Sequence, residues 1–469
     1  MFDLLVQICC HAEAQPGKPA LVGDNGFIFY GQLPDLIKER MDILRKNHVR
    51  VAGLQMDNGP DWVLWDIALT AGGFVCVPLP SFFTLEQMQH AQRAAGIDHV
   101  ITAEGLRSTG TGAAVLPPGT SKVTFTSGTT DTPKGVCLPQ KKLEQTAKGI
   151  IAAIGAEYAD QHLSILPLSI LLENIAGVYS ALLAGCTCHL YSLQSIGFAD
   201  PFRPDFEKLE SVLRDKKITS AILVPELLRG LMRAVALRKS APDSLKFLAV
   251  GGAKVAPELV VRARSLGLPV YEGYGLSECG SVVALNTPDH DELGTVGKIL
   301  PHVDLSIRNG EIIVNNPAFL GYIREEHKGG FATGDLGNID GRGYLMISGR
   351  SKNVIITSFG RNISPEWVES ALLACPEVAQ AVVYGDARRF PSVLIVPSRQ
   401  EADIAAAVAQ ANKKLPDYAK IDGFHLVPPF TPQNGLLTAT GRPRRAAIFE
   451  QYHSLITQED SSGLLRATC

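Results

Sequence analysis

The chain has 469 residues, which at roughly 100–200 residues per domain means two to four domains, each large enough to bury a core. Hydrophobic residues make up 46% and charged residues 19%, with 44 Gly and 29 Pro, which excludes a disordered chain, a collagen and a disulfide-dependent mini-protein. Lys and Arg number 44 against 47 Asp and Glu, a net charge of −3, so there is no global field for nucleic acid or an anionic membrane, and any bound anion must be held locally.

The 9 cysteines are scattered without a paired C-x-x-C, the pattern of buried free thiols in a reducing compartment. Met1–Pro16 carries no Lys or Arg, so it lacks the basic start of a secretory signal and the arginines of a mitochondrial one, and a cytoplasmic location is expected. The most apolar long window, Leu163–Cys186, is interrupted by Glu173 and Asn174. Ionisable groups near a bilayer midplane cost roughly 2.5 kcal/mol or more, so this window reads as core and no transmembrane segment is expected.

In chain order, the spacing predicts a helix over Asp35–His48, a strand over Val51–Met56, a helix over Trp62–Leu69 and a strand over Phe74–Pro78. The rhythm returns as strand Thr219–Val224, helix Glu226–Leu237, strand Leu245–Val250, helix Pro257–Leu266 and strand Pro269–Tyr271, which together suggest parallel βαβ units. From about Gly294 to Gly349 short strands and turns take over, among them Glu311–Val314 and the hairpin signal Asp340-Gly341-Arg342-Gly343. A smaller α+β unit follows, with strand Val354–Thr357, helix Pro365–Leu373, strands Val378–Tyr384 and Val393–Val396, and helix Glu401–Lys414.

Four stretches carry chemistry. Val123-Thr-Phe-Thr-Ser-Gly-Thr-Thr-Asp-Thr-Pro-Lys-Gly-Val136 packs hydroxyls, two glycines and Lys134 between two strand-like segments, so hydroxyls and amides can surround a polyphosphate that the lysine neutralises. It is not a Walker loop, because glycine follows the lysine and a strand follows that. Tyr271-Glu-Gly-Tyr-Gly-Leu-Ser-Glu278 combines an aromatic face, close-approach glycines and a hydroxyl and carboxylate suited to Mg²⁺. Thr333-Gly-Asp335 and Gly349-Arg-Ser-Lys352 supply an acid that can accept from both hydroxyls of a ribose and an arginine that can donate to the same sugar.

These stretches, in this order, resemble the superfamily of AMP-forming adenylating enzymes: acyl-CoA synthetases, nonribosomal-peptide adenylation domains and firefly luciferase. Thr126-Ser-Gly-Thr-Thr-Asp-Thr-Pro-Lys-Gly135 matches the family's T-S-G-[ST]-T-G-x-P-K-G loop except at Asp131, where glycine is usual. The resemblance implies that Thr126, Ser127, Gly128, Thr129, Thr130 and Lys134 hold phosphates, Tyr274 with Gly275 flanks adenine, Ser277 contacts phosphate, and Glu278 holds Mg²⁺. It further implies that Asp335 and Arg350 take the ribose, that Lys352 stands at an interdomain hinge, and that Ser358–Glu366 opens the small domain. Gly252 and Ala253, in a run of small residues beginning at Gly251, belong to the binding set and leave room for an acyl chain.

Leu166-Pro-Leu-Ser-Ile-Leu-Leu-Glu-Asn174 and Asn434-Gly-Leu-Leu-Thr438 look most like the fatty acyl-CoA synthetase branch, with Ile170 where His or an aromatic residue is usual. The amino-acid-activating branch normally has an aspartate near the start of the first segment, and none stands there. Near the C-terminus, Thr438-Ala-Thr-Gly-Arg442 has arginine in place of the family lysine, exchanging a compact ammonium for a planar fork.

The expectation is therefore an α/β protein with a large domain of doubly wound sheets plus a small barrel, residues 1–350, and a small mobile α+β domain, 351–469. The resemblance implies that ATP and a fatty or aryl carboxylic acid give acyl-AMP and pyrophosphate, and that a thiol, CoA or a carrier protein's phosphopantetheine, displaces AMP. A catalytically decayed homologue and an amino-acid-activating enzyme are the alternatives.

Overall fold

The structure, a computed structural model, describes residues 3–126, 133–199, 204–438 and 441–458. The chain divides into two compact units, one made of Met1–Gly252, Val261–Ser306 and Val314–Phe331, the other of Ala253–Val260, Ile307–Ile313 and Ala332–Cys469.

The first unit is built on two large sheets. The eight-stranded sheet runs in the order Glu325–Glu326, Gly321–Tyr322, Lys134–Leu138, Lys122–Thr126, Val75–Pro78, Val51–Leu54, His99–Thr102, Gly105–Ser108. Its centre is parallel, as the βαβ reading requires, and both edges are antiparallel. The nine-stranded sheet contains Gln161–Leu163, Ser220–Leu223, Phe247–Val250 and Val270–Tyr274 as parallel neighbours. Helices form where apolar spacing predicts them. Leu33–Lys46 buries Leu33, Ile37 and Leu44, and Pro60–Ala71 begins with a proline that suits the first helical turn. No helix among the described residues is long and apolar enough to cross a membrane.

Between the sheets lies a buried polar network. Lys122 and Asp66 are both fully buried, with Nζ 2.7 Å from Oδ1. Asn174 Nδ2 and the Tyr179 hydroxyl donate to Asp66 Oδ2 at 2.9 and 3.0 Å, and the Cys76 thiol donates to Oδ1 at 3.2 Å. Lys122 also donates to Asn174 Oδ1 and lies over the Tyr179 ring. A buried charge pair is tolerated only when its remaining lone pairs and protons are satisfied, and here they are.

The eight described cysteines are free, and six are buried. Burial pushes the thiols of Cys137 and Cys186 up to about 11, far from thiolate chemistry.

In the second unit, Phe331–Ile339 and Leu345–Arg350 form a hairpin whose turn is capped by Asp340, which accepts from the amides of Arg342 and Tyr344. Where a small barrel is expected, the strands Leu305–Arg308, Glu311–Val314, Phe331–Ile339 and Leu345–Arg350 follow one another in an open four-stranded sheet. Farther on, helix Pro365–Leu373 packs against the three-stranded sheet of Val378–Tyr384, Ser392–Pro397 and Gly423–Leu426.

Lys122→Met leaves the Asp66 carboxylate buried without its cation, and should destabilise the first unit by about 3–5 kcal/mol. The expected result is a marked fall in the urea midpoint, partly recovered when Asp66→Asn is added, because an amide needs no counter-ion.

Candidate active site

Lys134 opens the strand that returns from the hydroxyl-rich loop, and its side chain is exposed. Ser127, Gly128, Thr129, Thr130 and Asp131 lie outside the described residues; Thr126, at the loop's entry, is half-buried and pairs with Lys134 in register.

Glu278 lies in the turn after strand Val270–Tyr274, within the single helical turn Ser277–Cys279. A Cβ on Gly275 would sit 1.6 Å from the Ser281 carbonyl oxygen, so only glycine lets the chain fold back this tightly. Gly280 then takes a left-handed φ of 78°, and Val283 N donates to Tyr274 O at 2.8 Å, closing the loop. The Tyr274 ring packs against the small cluster of Cys279, Val283 and Val314.

The Glu278 carbonyl accepts from the amides of Ala318 and Phe319, at 3.0 and 2.9 Å, which ties this loop to the segment entering strand Gly321–Tyr322. That strand pairs with the Lys134 strand, Tyr322 opposite Val136. The Tyr322 hydroxyl donates to Glu278 Oε1 at 3.0 Å, and the Lys134 ammonium lies 5.4 Å from the Tyr322 ring centroid. Burial, reinforced by the neighbouring Glu278 carboxylate, holds the Tyr322 phenol well above its usual range, so it acts as a donor. Lys134 and Glu278 are thus brought to one tyrosine. Tyr322 carries no motif signal of its own, and its contact with Glu278 spans 44 residues of sequence.

The donor set fits Mg²⁺ in the manner of a nucleotide site. Glu278 offers one carboxylate oxygen that takes no hydrogen bond from the described residues, and among those residues no group of three or more His, Cys, Asp or Glu could hold a metal alone. Such an ion completes its shell with phosphate oxygens and water.

Asn58 joins two other stretches of interest. Its Nδ2 donates to Leu166 O at 3.0 Å and its Oδ1 accepts from Leu168 N at 2.8 Å, fixing the Leu-Pro-Leu segment that precedes Ile170. Gly252, exposed with a left-handed φ of 80°, and Ala253, also exposed, follow strand Phe247–Val250.

In the second unit, Asp335 and Arg350 face each other in register, and Arg350 Nε lies 2.9 Å from the buried Asp335 Oδ1. The Thr333 hydroxyl accepts from Asp335 N at 3.1 Å and donates to Ile312 O at 2.9 Å, so the acid is rigidly mounted. Lys352 is exposed in the short turn Ser351–Asn353. Arg442 is exposed near the tip of a hairpin closed by Thr438, whose Oγ1 accepts from Arg442 N at 3.0 Å. Arg445, by contrast, reaches the buried Glu369 at 2.6 Å and Glu366 at 3.6 Å.

Residues 117–321 match the AMP-binding enzyme family and residues 352–459 match the AMP-binding enzyme C-terminal domain. The chain belongs to the AMP-binding enzyme family. Among its relatives, the long-chain-fatty-acid–CoA ligase FadD15 of Mycobacterium bovis is 28% identical over 84% of this chain and 85% of that protein. The 2-succinylbenzoate–CoA ligase of Bacillus velezensis is 30% identical over 65% of this chain and 63% of that protein. The fold is that of the anthranilate CoA ligase AuaEII solved with anthranoyl-AMP, with a TM-score of 0.82 at 17% identity over 96% of both chains. It is likewise that of the o-succinylbenzoate CoA synthetase of Bacillus subtilis solved with its acyl-adenylate, with a TM-score of 0.78 at 21% identity over 94% of this chain and 97% of that one.

Proposed function

We propose that the protein is an ATP-dependent acid–CoA ligase of the cytoplasm, activating an apolar carboxylic acid, fatty or aryl, as acyl-AMP. The observation that carries this reading is the convergence of Lys134 and Glu278 on Tyr322, an exposed cation over the ring and a carboxylate at the hydroxyl. The CoA-ligase relatives support CoA as the acceptor, and the free, mostly buried thiols suit a reducing compartment.

In the first half-reaction, a carboxylate oxygen of the acid bonds to the α-phosphorus of ATP, and the bond to the bridging oxygen breaks, releasing pyrophosphate. In the second, the CoA sulfur, having given up its proton, bonds to the acyl carbon and AMP departs. Lys134 and the loop hydroxyls from Thr126 to Thr130 would neutralise the phosphates, while Ser277 donates to a phosphate oxygen. Glu278 would hold Mg²⁺, which when bound draws negative charge from the phosphate oxygens. Tyr274 with Gly275 would face the adenine, Asp335 and Arg350 would take the ribose, and Gly252 and Ala253 would line the passage for the acyl group. Residues 351–469 would move about a hinge at Lys352 between the half-reactions. Nothing in this scheme demands a strong acid or base; the work is charge stabilisation by groups already in place.

Glu278→Gln should cut Mg²⁺-dependent pyrophosphate release by far more than twofold while leaving the unfolding midpoint almost unchanged. A loss within about twofold, only ~0.4 kcal/mol, would remove Glu278 from the site. Tight ATP binding with no pyrophosphate release from any carboxylic acid would instead mark a binding protein.

An apolar acid is favoured by the Ile170-Leu171-Leu172 run and by the absence of a carboxylate at the start of Leu166–Asn174; Glu173 in that segment is buried against His162 and cannot meet a substrate ammonium. Pyrophosphate release should be faster with a deaminated acid than with the matching α-amino acid, and the reverse order would assign the protein to amino-acid activation.

Arg442 is proposed to stand where the family lysine does, donating to carboxylate and α-phosphate oxygens during adenylation. A charge-assisted hydrogen bond contributes roughly 1.5–3 kcal/mol, so Arg442→Ala should slow adenylation about 10- to 100-fold. Thioester formation from preformed acyl-AMP should be spared. Single-turnover measurements of each half-reaction separate the two, and equal losses in both, or none in either, would return Arg442 to the surface.

A further inference from the structure

We propose that Tyr322 is the positioning residue of the phosphate and metal site, holding the Glu278 carboxylate in the orientation that receives the divalent cation while keeping Lys134 from pairing with it. The inference rests on the reading of Glu278 as the metal ligand.

A glutamate side chain has three rotatable bonds, so a carboxylate intended for a cation must be oriented by its surroundings. Two groups are available for this at Glu278. Its main chain is pinned by the amides of Ala318 and Phe319, and its side chain by the hydroxyl of Tyr322, so both anchors come from one segment of five residues. The tyrosine ring is itself fixed: it meets Phe319 edge-on at 5.4 Å, and Phe319 stacks on His327 at 4.6 Å and meets Phe331 edge-on at 5.1 Å.

The choice of donor matters as much as the geometry. A lysine or arginine in this place would orient the carboxylate but also cancel its charge and compete with the cation. A phenol donates a hydrogen bond and stays neutral. It engages Oε1 alone, and Oε2 takes no hydrogen bond from the described residues. The same ring presents its face to the Lys134 ammonium, which is attracted to the π cloud without surrendering its charge. Among the described residues Lys134 and Glu278 form no ion pair, although both meet the same tyrosine. Tyr322 therefore leaves a bare cation for phosphate and a bare carboxylate oxygen for the metal.

The test uses the full-length protein and Mn²⁺ as the probe, its binding followed by water-proton relaxation in the presence of a non-hydrolysable ATP analogue. Tyr322→Phe keeps the ring and removes the hydroxyl; Mn²⁺ affinity should fall about five- to tenfold, as expected for loss of one hydrogen bond to a charged group. Nucleotide affinity in EDTA should change less than twofold, which a general disruption of the fold would not allow. Tyr322→Leu, which also removes the ring face, should lower the metal-free nucleotide affinity as well. In a Glu278→Gln background, Tyr322→Phe should have no further effect on Mn²⁺, because the tyrosine acts through that carboxylate.

Unchanged Mn²⁺ affinity in Tyr322→Phe, or an equal loss in both backgrounds, overturns the proposal. Should Glu278→Gln itself leave Mn²⁺ binding intact, it is the reading of Glu278 as metal ligand that fails. The unfolding midpoints of both variants are measured alongside, and a wild-type midpoint in Tyr322→Leu with unchanged nucleotide affinity in EDTA overturns the part concerning Lys134.

Discussion

Two adjacent polar residues, Glu173 and Asn174, join the two large sheets of the first unit, and the geometry of everything those sheets carry depends on them. Glu173 is completely buried; its Oε1 meets His162 Nε2 at 2.9 Å, and His162 Nδ1 meets the Ser220 hydroxyl at 3.0 Å, so this side reaches two strands of the nine-stranded sheet. Asn174 turns the other way, to Asp66 and to Lys122 in the eight-stranded sheet. Both stand at the start of a π-helical stretch, Glu173–Tyr179, in which consecutive residues can serve opposite layers. Gly177 completes the arrangement, since a Cβ there would fall 2.4 Å from Glu173 Oε1 and 2.5 Å from His162 Nε2. Polar groups buried this deeply cost several kcal/mol each unless paired, so a shift of one sheet against the other would leave charges stranded.

That constraint reaches the site directly. Lys134 and Tyr322 belong to the eight-stranded sheet, whereas Glu278 follows directly on a strand of the nine-stranded one. The separation of cation and carboxylate is thus set by how the sheets are clamped. Lys122 is itself part of the clamp and lies on the strand that leads to Thr126 and the hydroxyl-rich sequence after it. The residue that keeps the interior in register is four positions from the residues expected to meet the nucleotide.

Much of this organisation is legible in the sequence, for a physical reason. Strands and helices are specified by local apolar spacing, and Pro365–Leu373, Val378–Tyr384 and Glu311–Val314 fall where that spacing places them. Loops that approach a phosphate need glycine and hydroxyl residues in succession, which makes them conspicuous as text. What spacing cannot reveal is a polar residue whose partner is remote. Lys122 reads as an interruption in a strand until Asp66 is found beneath it, and Tyr322 reads as an ordinary aromatic until Glu278 is found at its hydroxyl. The basic run Arg442–Arg445 shows the same gap: three arginines alike in sequence are divided by the fold into an exposed one, Arg442, and two that make structural contacts, Arg444 and Arg445.

Arg445 bears on Arg442. Glu366 accepts from Asn353 and from the Ser364 hydroxyl while Arg445 stands 3.6 Å away, and Glu369 takes Arg445 at 2.6 Å, so the entry to helix Pro365–Leu373 and the base of the C-terminal hairpin are fastened to one guanidinium. The Arg444 side chain donates to Gly435 O at 3.0 Å, tightening the same hairpin. Arg442 is carried at the exposed end of this braced element. With a net charge of −3, the protein cannot attract an anion by its overall field, so a cation meant for one must be delivered to it on a rigid support. A flexible lysine can search for its phosphate from a loose tip. The role proposed for Arg442 depends on such bracing, since an arginine's planar fork binds well only when aligned, and the Arg445 anchor supplies it.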